Sequence, residues 1–270
     1  MELKFGKSKW EMWWDPLEDF LEKTRTSGFD ATEIYIPALS EKPEQIAALH
    51  DRYGLKLIAQ IVSEGKTPAE HLQTIEERVP LAVDCCPISI SCHVGRDIFS
   101  FDDNLKIFES VIQLSRKYEI DINIETHRGR PTYSAVETVK YLSALPDMCL
   151  TADFSHWMVV HESNLEDQEE NLQLAIERSS HIHARVGYEE GPQINDPEAP
   201  EWRQHVARHI QIWQSILDSR KAAKAPFLTI VPEFGPVPYM QTLPFTKMPV
   251  ADVWEVNVKM KERLQRELNL

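Results

Sequence analysis

Three carboxylates and one imidazole, Glu125, Asp153, Glu233 and His183, each stand at or near the end of an apolar run. The runs are Ile-Asp-Ile-Asn-Ile-Glu125, Met-Cys-Leu-Thr-Ala-Asp153, His181-Ile-His183 and Phe-Leu-Thr-Ile-Val-Pro-Glu233. Burying three carboxylates together costs several kcal/mol or forces protonation, and a bound cation removes their repulsion. Oxygen and imidazole donors in this mixture suit one divalent metal ion.

Other side chains gather around these four. His127 follows Glu125 at the two-residue strand period, so both face one way if the chain stays extended. A polar strand end meeting solvent would give the same pattern. Asp153-Phe-Ser-His156 lets a carboxylate and an imidazole converge as the strand turns into a loop. His181-Ile-His183-Ala-Arg185 places two histidines and an arginine on one side of an extended strand. There His183 reads as a ligand and His181 as a deeper pocket group. His93, closing another apolar run, would line the same mouth. Trp10, Trp13, Trp14 and Trp157 offer aromatic faces that pack on a sugar or cover a core edge, and Trp14 is the one carried forward as substrate-facing.

At the level of elements, short apolar runs alternate with helical stretches eight times along the chain. The expected strands are residues 3–6, 31–36, 55–61, 88–93, 121–125, 149–153, 182–186 and 227–233. The expected helices are residues 16–26, 43–52, 69–83, 104–118, 135–145, 165–178, 202–220 and 250–268. Alternation of this kind implies a parallel sheet, and eight repeats in 270 residues imply closure into an α/β (β/α)8 TIM barrel. No polar linker or repeat divides the chain, so one domain over residues 1–270 is expected. Long proline-containing connections at residues 187–201 and 234–249 would shape the pocket mouth.

Lys and Arg number 29 against 43 Asp and Glu, a net charge of -14 that opposes binding to nucleic acid or anionic membranes. Four cysteines, two adjacent at Cys85 and Cys86, form no secreted disulfide framework, so reduced thiols in a cytoplasm are expected. No run approaches a membrane span and no apolar leader opens the sequence.

With these motifs in order, Glu125, then Asp153-x-x-His156, then His181-x-His183-x-Arg185, then Glu233, the chain resembles the xylose isomerase-like barrel superfamily. Within it, the likeness is to the sugar isomerase and epimerase branch that includes ketose 3-epimerases. The resemblance implies one divalent ion, manganese first and magnesium, cobalt or zinc otherwise, on Glu125, Asp153, His183 and Glu233. It implies Glu125 and Glu233 as the paired acid and base. His156 and Arg185 would position substrate, although the epimerase arginine usually lies further into the following loop. His93, His127, His181 and Trp14 complete the substrate-facing set.

The activity so implied is isomerisation or epimerisation of a sugar, keto-sugar or related polyol through a metal-stabilised enediolate. Proton abstraction beside a carbonyl can also end in loss of a β-hydroxyl, so a dehydratase is the first alternative. An apurinic-site endonuclease of this fold would need histidines ending the second and third strands and an Asp-x-His after His183, which this chain lacks. A non-catalytic sugar-binding barrel is the third alternative. Arg128, Arg130 and Arg185 would serve a phosphate or a carboxylate alike, so the sequence leaves the substrate's phosphorylation open. The aromatic loops suggest a homo-oligomer.

Overall fold

The protein is described by a computed structural model covering residues 1–269. Its apolar runs become β1 (Glu2–Ser8), β2 (Ala31–Tyr35), β3 (Lys56–Val62), β4 (Ser89–His93), β5 (Ile122–Glu125), β6 (Cys149–Ala152), β7 (Ser179–His183) and β8 (Phe227–Val231). All eight pair in parallel in chain order, and β1 closes on β8 with Glu2 opposite Phe227 and Phe5 opposite Ile230. The chain is therefore a closed (β/α)8 TIM barrel.

Between the strands run α1 (Leu17–Thr26), α2 (Pro43–Tyr53), α3 (Pro68–Val83), α4 (Phe101–Tyr118), α5 (Ala135–Ala144), α6 (Ser155–His161), α7 (Glu169–Arg178) and α8 (Arg203–Ala222), and α9 (Val253–Glu267) follows the last strand. Local chemistry sets their starts. Thr67 accepts the Glu70 amide while the Glu70 carboxylate accepts the Thr67 amide, a reciprocal cap with Pro68 at the first helical position. Ser100 and Ser134 cap α4 and α5 by accepting the amides of Asp103 and Glu137.

Two apolar layers result. The larger lies between strands and helices, where Phe20, Phe108, Trp157, Trp213 and Met260 are fully buried. Burying each such side chain contributes about 1.5–3 kcal/mol. The smaller, Ala31, Ile58 and Val231, plugs the barrel interior. Gly6 fits above it because a Cβ there would lie 2.8 Å from Val231 Cγ2. Toward the C-terminal mouth the interior turns polar: Ser91 pairs with Thr151 at 2.9 Å, Ser180 with Asn123, and His181 with Thr229 at 2.6 Å.

The structure corrects several expected boundaries. The seventh strand starts and ends three residues earlier than expected, because its inward positions are serine and histidine, which an apolar pattern does not mark. Arg185 therefore lies beyond the strand, not on a shared strand face with His181 and His183. Asp153 and Glu233 stand just past β6 and β8. The chain after Asp153 is the short helix α6, not a loop, so His156 sits in its first turn. The helix expected from residue 165 begins at Glu169, after a 3-10 turn at Glu166–Gln168. No described helix is long and apolar enough to cross a membrane.

Candidate metal centre

Parallel closure brings the ends of β5 to β8 to one point. Ligand atoms of Glu125, Asp153, His183 and Glu233 all lie within 4.8 Å of one another, and all four residues are buried. His183 Nδ1 is 3.0 Å from Glu233 Oε2 and 3.5 Å from Glu125 Oε2, yet has no hydrogen-bond partner. A buried, unpartnered nitrogen facing two carboxylates fits a cation ligand, and three carboxylates with one imidazole suit a divalent metal ion.

The electrostatics agree with that fit. Burial opposes ionisation of Glu125, but His93 and His183 outweigh it and hold its pKa well below the carboxylate range. Burial pushes Asp153 up to about 6 against the pull of Arg185, and Glu233 and Glu125 add to the rise. Burial and the neighbouring carboxylates together drive Asp153 toward protonation, and a divalent ion would relieve both. Burial works to neutralise His183, yet Glu233, Glu33 and Glu125 together raise it well above the usual imidazole value.

Around the four ligands the expected site residues fall into distinct places. His93 bonds Glu125 directly. His127 lies beside it, ring centroids 4.8 Å apart, and 3.9 Å from the ring of His156. Burial, with His93 and Arg185 nearby, lowers His127 to about 3, so its imidazole is neutral. Arg185 donates to Asp153, to Ser155 Oγ at 3.2 Å and to His156 Nε2 at 2.7 Å. Gly187 lets the chain after β7 run close to Ser155, since a Cβ there would meet the Ser155 carbonyl at 2.7 Å. The Gly187 amide donates to His209 Nε2 on α8, whose Nδ1 donates to the His205 carbonyl.

Trp14 does not reach the site. It is 64% exposed and packs edge-on against Trp13, outside the cavity that Trp10 and Trp13 help to line. The ring of Trp10 lies over the backbone of Gly235, where a Cβ would come within 2.4 Å of it. It meets the ring of Tyr239 edge-on at 5.2 Å, and Tyr239 covers the guanidinium of Arg185 at 4.7 Å.

Glu33 is the residue that reading strand ends does not find. It points inward from the middle of β2, and its Oε1 lies 3.0 Å from His183 Nε2 and 3.3 Å from His181 Nε2. Its Oε2 has no partner. Burial opposes its ionisation, but His183 and His181 outweigh that and bring it to about 2. A charged residue inside an otherwise apolar and β-branched strand was the available signal. Two further sets of three candidate donors overlap the main one, Glu33 with His181 and His183, and Glu125 with His127 and His156.

A cavity of about 490 Å³ opens over the cluster at the strands' C-terminal ends. Glu33, Glu125, Glu233, His93, His127 and Arg185 form its polar side, so two of the four candidate ligands face both the cluster and the cavity.

No protein-family model and no curated protein matches the chain. Solved structures do. A xylose isomerase-like TIM barrel protein from Mycobacterium smegmatis in complex with magnesium superposes with a TM-score of 0.66 at 11% identity, over 97% of this chain and 95% of that one. The 3-keto-D-glucoside 4-epimerase of E. coli gives 0.63 at 12% identity over 98% and 100%. Endonuclease IV from Thermus thermophilus gives 0.60 at 14% identity over 98% and 99%. This chain thus has the fold of the xylose isomerase-like TIM barrels.

Proposed function

We propose that the protein is a metal-dependent isomerase or epimerase of a sugar, keto-sugar or related polyol. The observation that carries this reading is that Glu125 and Glu233 belong at once to the buried four-residue cluster and to the cavity floor. Glu125, Asp153, His183 and Glu233 would hold one divalent ion, manganese by preference. A divalent ion held there supplies Lewis-acid polarisation of a substrate carbonyl. Glu125, kept ionised by His93 and His183, takes the proton from the carbon beside that carbonyl. Glu233 returns a proton to the opposite face or to the neighbouring carbon. Arg185, which lines the cavity, orients the substrate with His156 holding it from behind, His93 and His127 line the approach, and His181 supports Glu33 from beneath. The superposed epimerase and magnesium complex support the reading at the level of the scaffold.

The test is elemental analysis of protein stripped with chelator and reloaded with manganese, beside Glu125→Gln and Glu233→Gln. The expected result is about one ion per wild-type chain, weakened binding in both variants, and uptake of solvent deuterium by a keto-sugar that falls about 10²–10⁴-fold in them. Three ions with cleavage of abasic DNA would replace this reading by the endonuclease one. No ion after reloading would leave a sugar-binding barrel. A product lighter by one water would identify a dehydratase on the same cluster.

A further inference from the structure

The cavity has two unlike sides. Beside the polar floor stand Trp10, Trp13, Ile34, Ala38, Leu39 and Val62, interleaved with Ser8, Lys9, Tyr35 and Gln60 and contributed by the ends of β1, β2 and β3 and by the turns after them. A volume of about 490 Å³ falls within the roughly 300–1,000 Å³ of sites that enclose drug-sized ligands, more room than one pyranose ring fills. The apolar side is preformed, because Trp10 is wedged between Gly235 and Tyr239.

The cations that line the cavity are already engaged. Lys9 Nζ donates to the carbonyls of Met12 at 2.6 Å and Asp15 at 2.7 Å. Arg185 is paired with Asp153, and Arg130 donates to the Gly95 carbonyl without lining the cavity. Both Lys9 and Arg185, the lysine and arginine among the described lining residues, thus already have protein partners, while Glu33, Glu125 and Glu233 repel a phosphate or carboxylate.

From this we infer that the substrate of the proposed reaction is an uncharged sugar bearing a second ring or other apolar substituent. The sugar lies over Glu125 and Glu233, and the substituent sits against Trp13, Leu39 and Val62. This rests on the isomerase reading for the sugar end and on the cavity wall for the other.

Calorimetry of the manganese-loaded protein with methyl β-D-glucoside, phenyl β-D-glucoside and glucose 6-phosphate tests it. Phenyl glucoside should bind about tenfold or more tighter than methyl glucoside, with glucose 6-phosphate no tighter than the methyl compound. Trp13→Ala and Leu39→Ser should bring the phenyl-to-methyl ratio within about threefold. Trp13 is 66% exposed, so its variant tests the wall without opening the core. Equal binding of the two glucosides, no binding of phenyl glucoside, or tightest binding of the phosphate would each overturn the inference. Deuterium uptake by a keto-sugar reads proton transfer separately. Exchange without the phenyl preference removes only this inference, and the preference without exchange removes only the isomerase reading.

Discussion

Glu33 sits directly behind His183. Because its Oε1 accepts from His183 Nε2, an imidazole that gives up one proton to bind a cation would keep the other on Nε2 and turn Nδ1 toward Glu125 and Glu233. Such a carboxylate behind a metal-binding histidine typically changes metal affinity about 10–100-fold when removed. Glu33→Gln keeps the shape and loses the charge, so manganese titration of the chelated variant should show weakening of about that size. Unchanged affinity would mean that Glu33 serves packing alone. Ser155 belongs to the same scale: it donates to Asp153 Oδ1 and accepts from Arg185 Nε, while Arg185 Nη2 takes Oδ2, so both oxygens of Asp153 are held in place at the cluster.

The loop after β8 is the element that finishes the site, since it carries Glu233, Gly235 and Tyr239 in close succession. Gly235→Ala would push the Trp10 ring off its seat. The expected outcome is an unchanged manganese stoichiometry with weakened binding of phenyl β-D-glucoside, read by calorimetry; loss of the metal instead would show that Trp10 also holds Glu233 in place. The same loop shows what is legible in the sequence. Apolar runs ending in Glu125 and Glu233 announce β5 and β8, and their carboxylates do converge with Asp153 and His183. β7 is harder to place because Ser-Ser-His-Ile-His faces a polar barrel interior. α6 escapes the pattern because 7 residues directly after a strand offer too short a window for helical periodicity. Glu33 escapes it because it lies inside its strand and gains its role only from residues 148 and 150 positions away. Trp14 is misassigned because three tryptophans in one short segment cannot be told apart until the fold places Trp10 and Trp13 at the cavity.

Across the whole molecule, buried neutral histidines tie stability to pH. His209 is lowered to about 4 by burial, and its Nε2 accepts the Gly187 amide, so a proton there would oppose an N–H donor. Unfolded, the same imidazole titrates near about 6.5. Between those values the unfolded chain binds a proton that the folded chain refuses. The stability contributed by His209 is therefore complete above about pH 6.5 and is lost as the pH falls toward about 4. At about pH 5 the loss relative to neutral pH is about 2 kcal/mol from this group. Urea midpoints of wild type should fall over that range, and His209→Gln should remove that part of the slope; an identical slope in the variant would place the acid sensitivity elsewhere. The pairing of β1 with β8 reaches beyond equilibrium stability to biosynthesis. During translation, the first strand waits for its second partner until Val231 has emerged from the ribosome. Until then β1 and β7 both present unpaired edges, and products that stop short of Phe227 keep them, which makes incomplete chains prone to stick to one another. Once β8 is in place, Lys261 on α9 donates to the carbonyls of Ser27 at 2.6 Å and Gly28 at 3.1 Å, so α9 fastens the turn between α1 and β2.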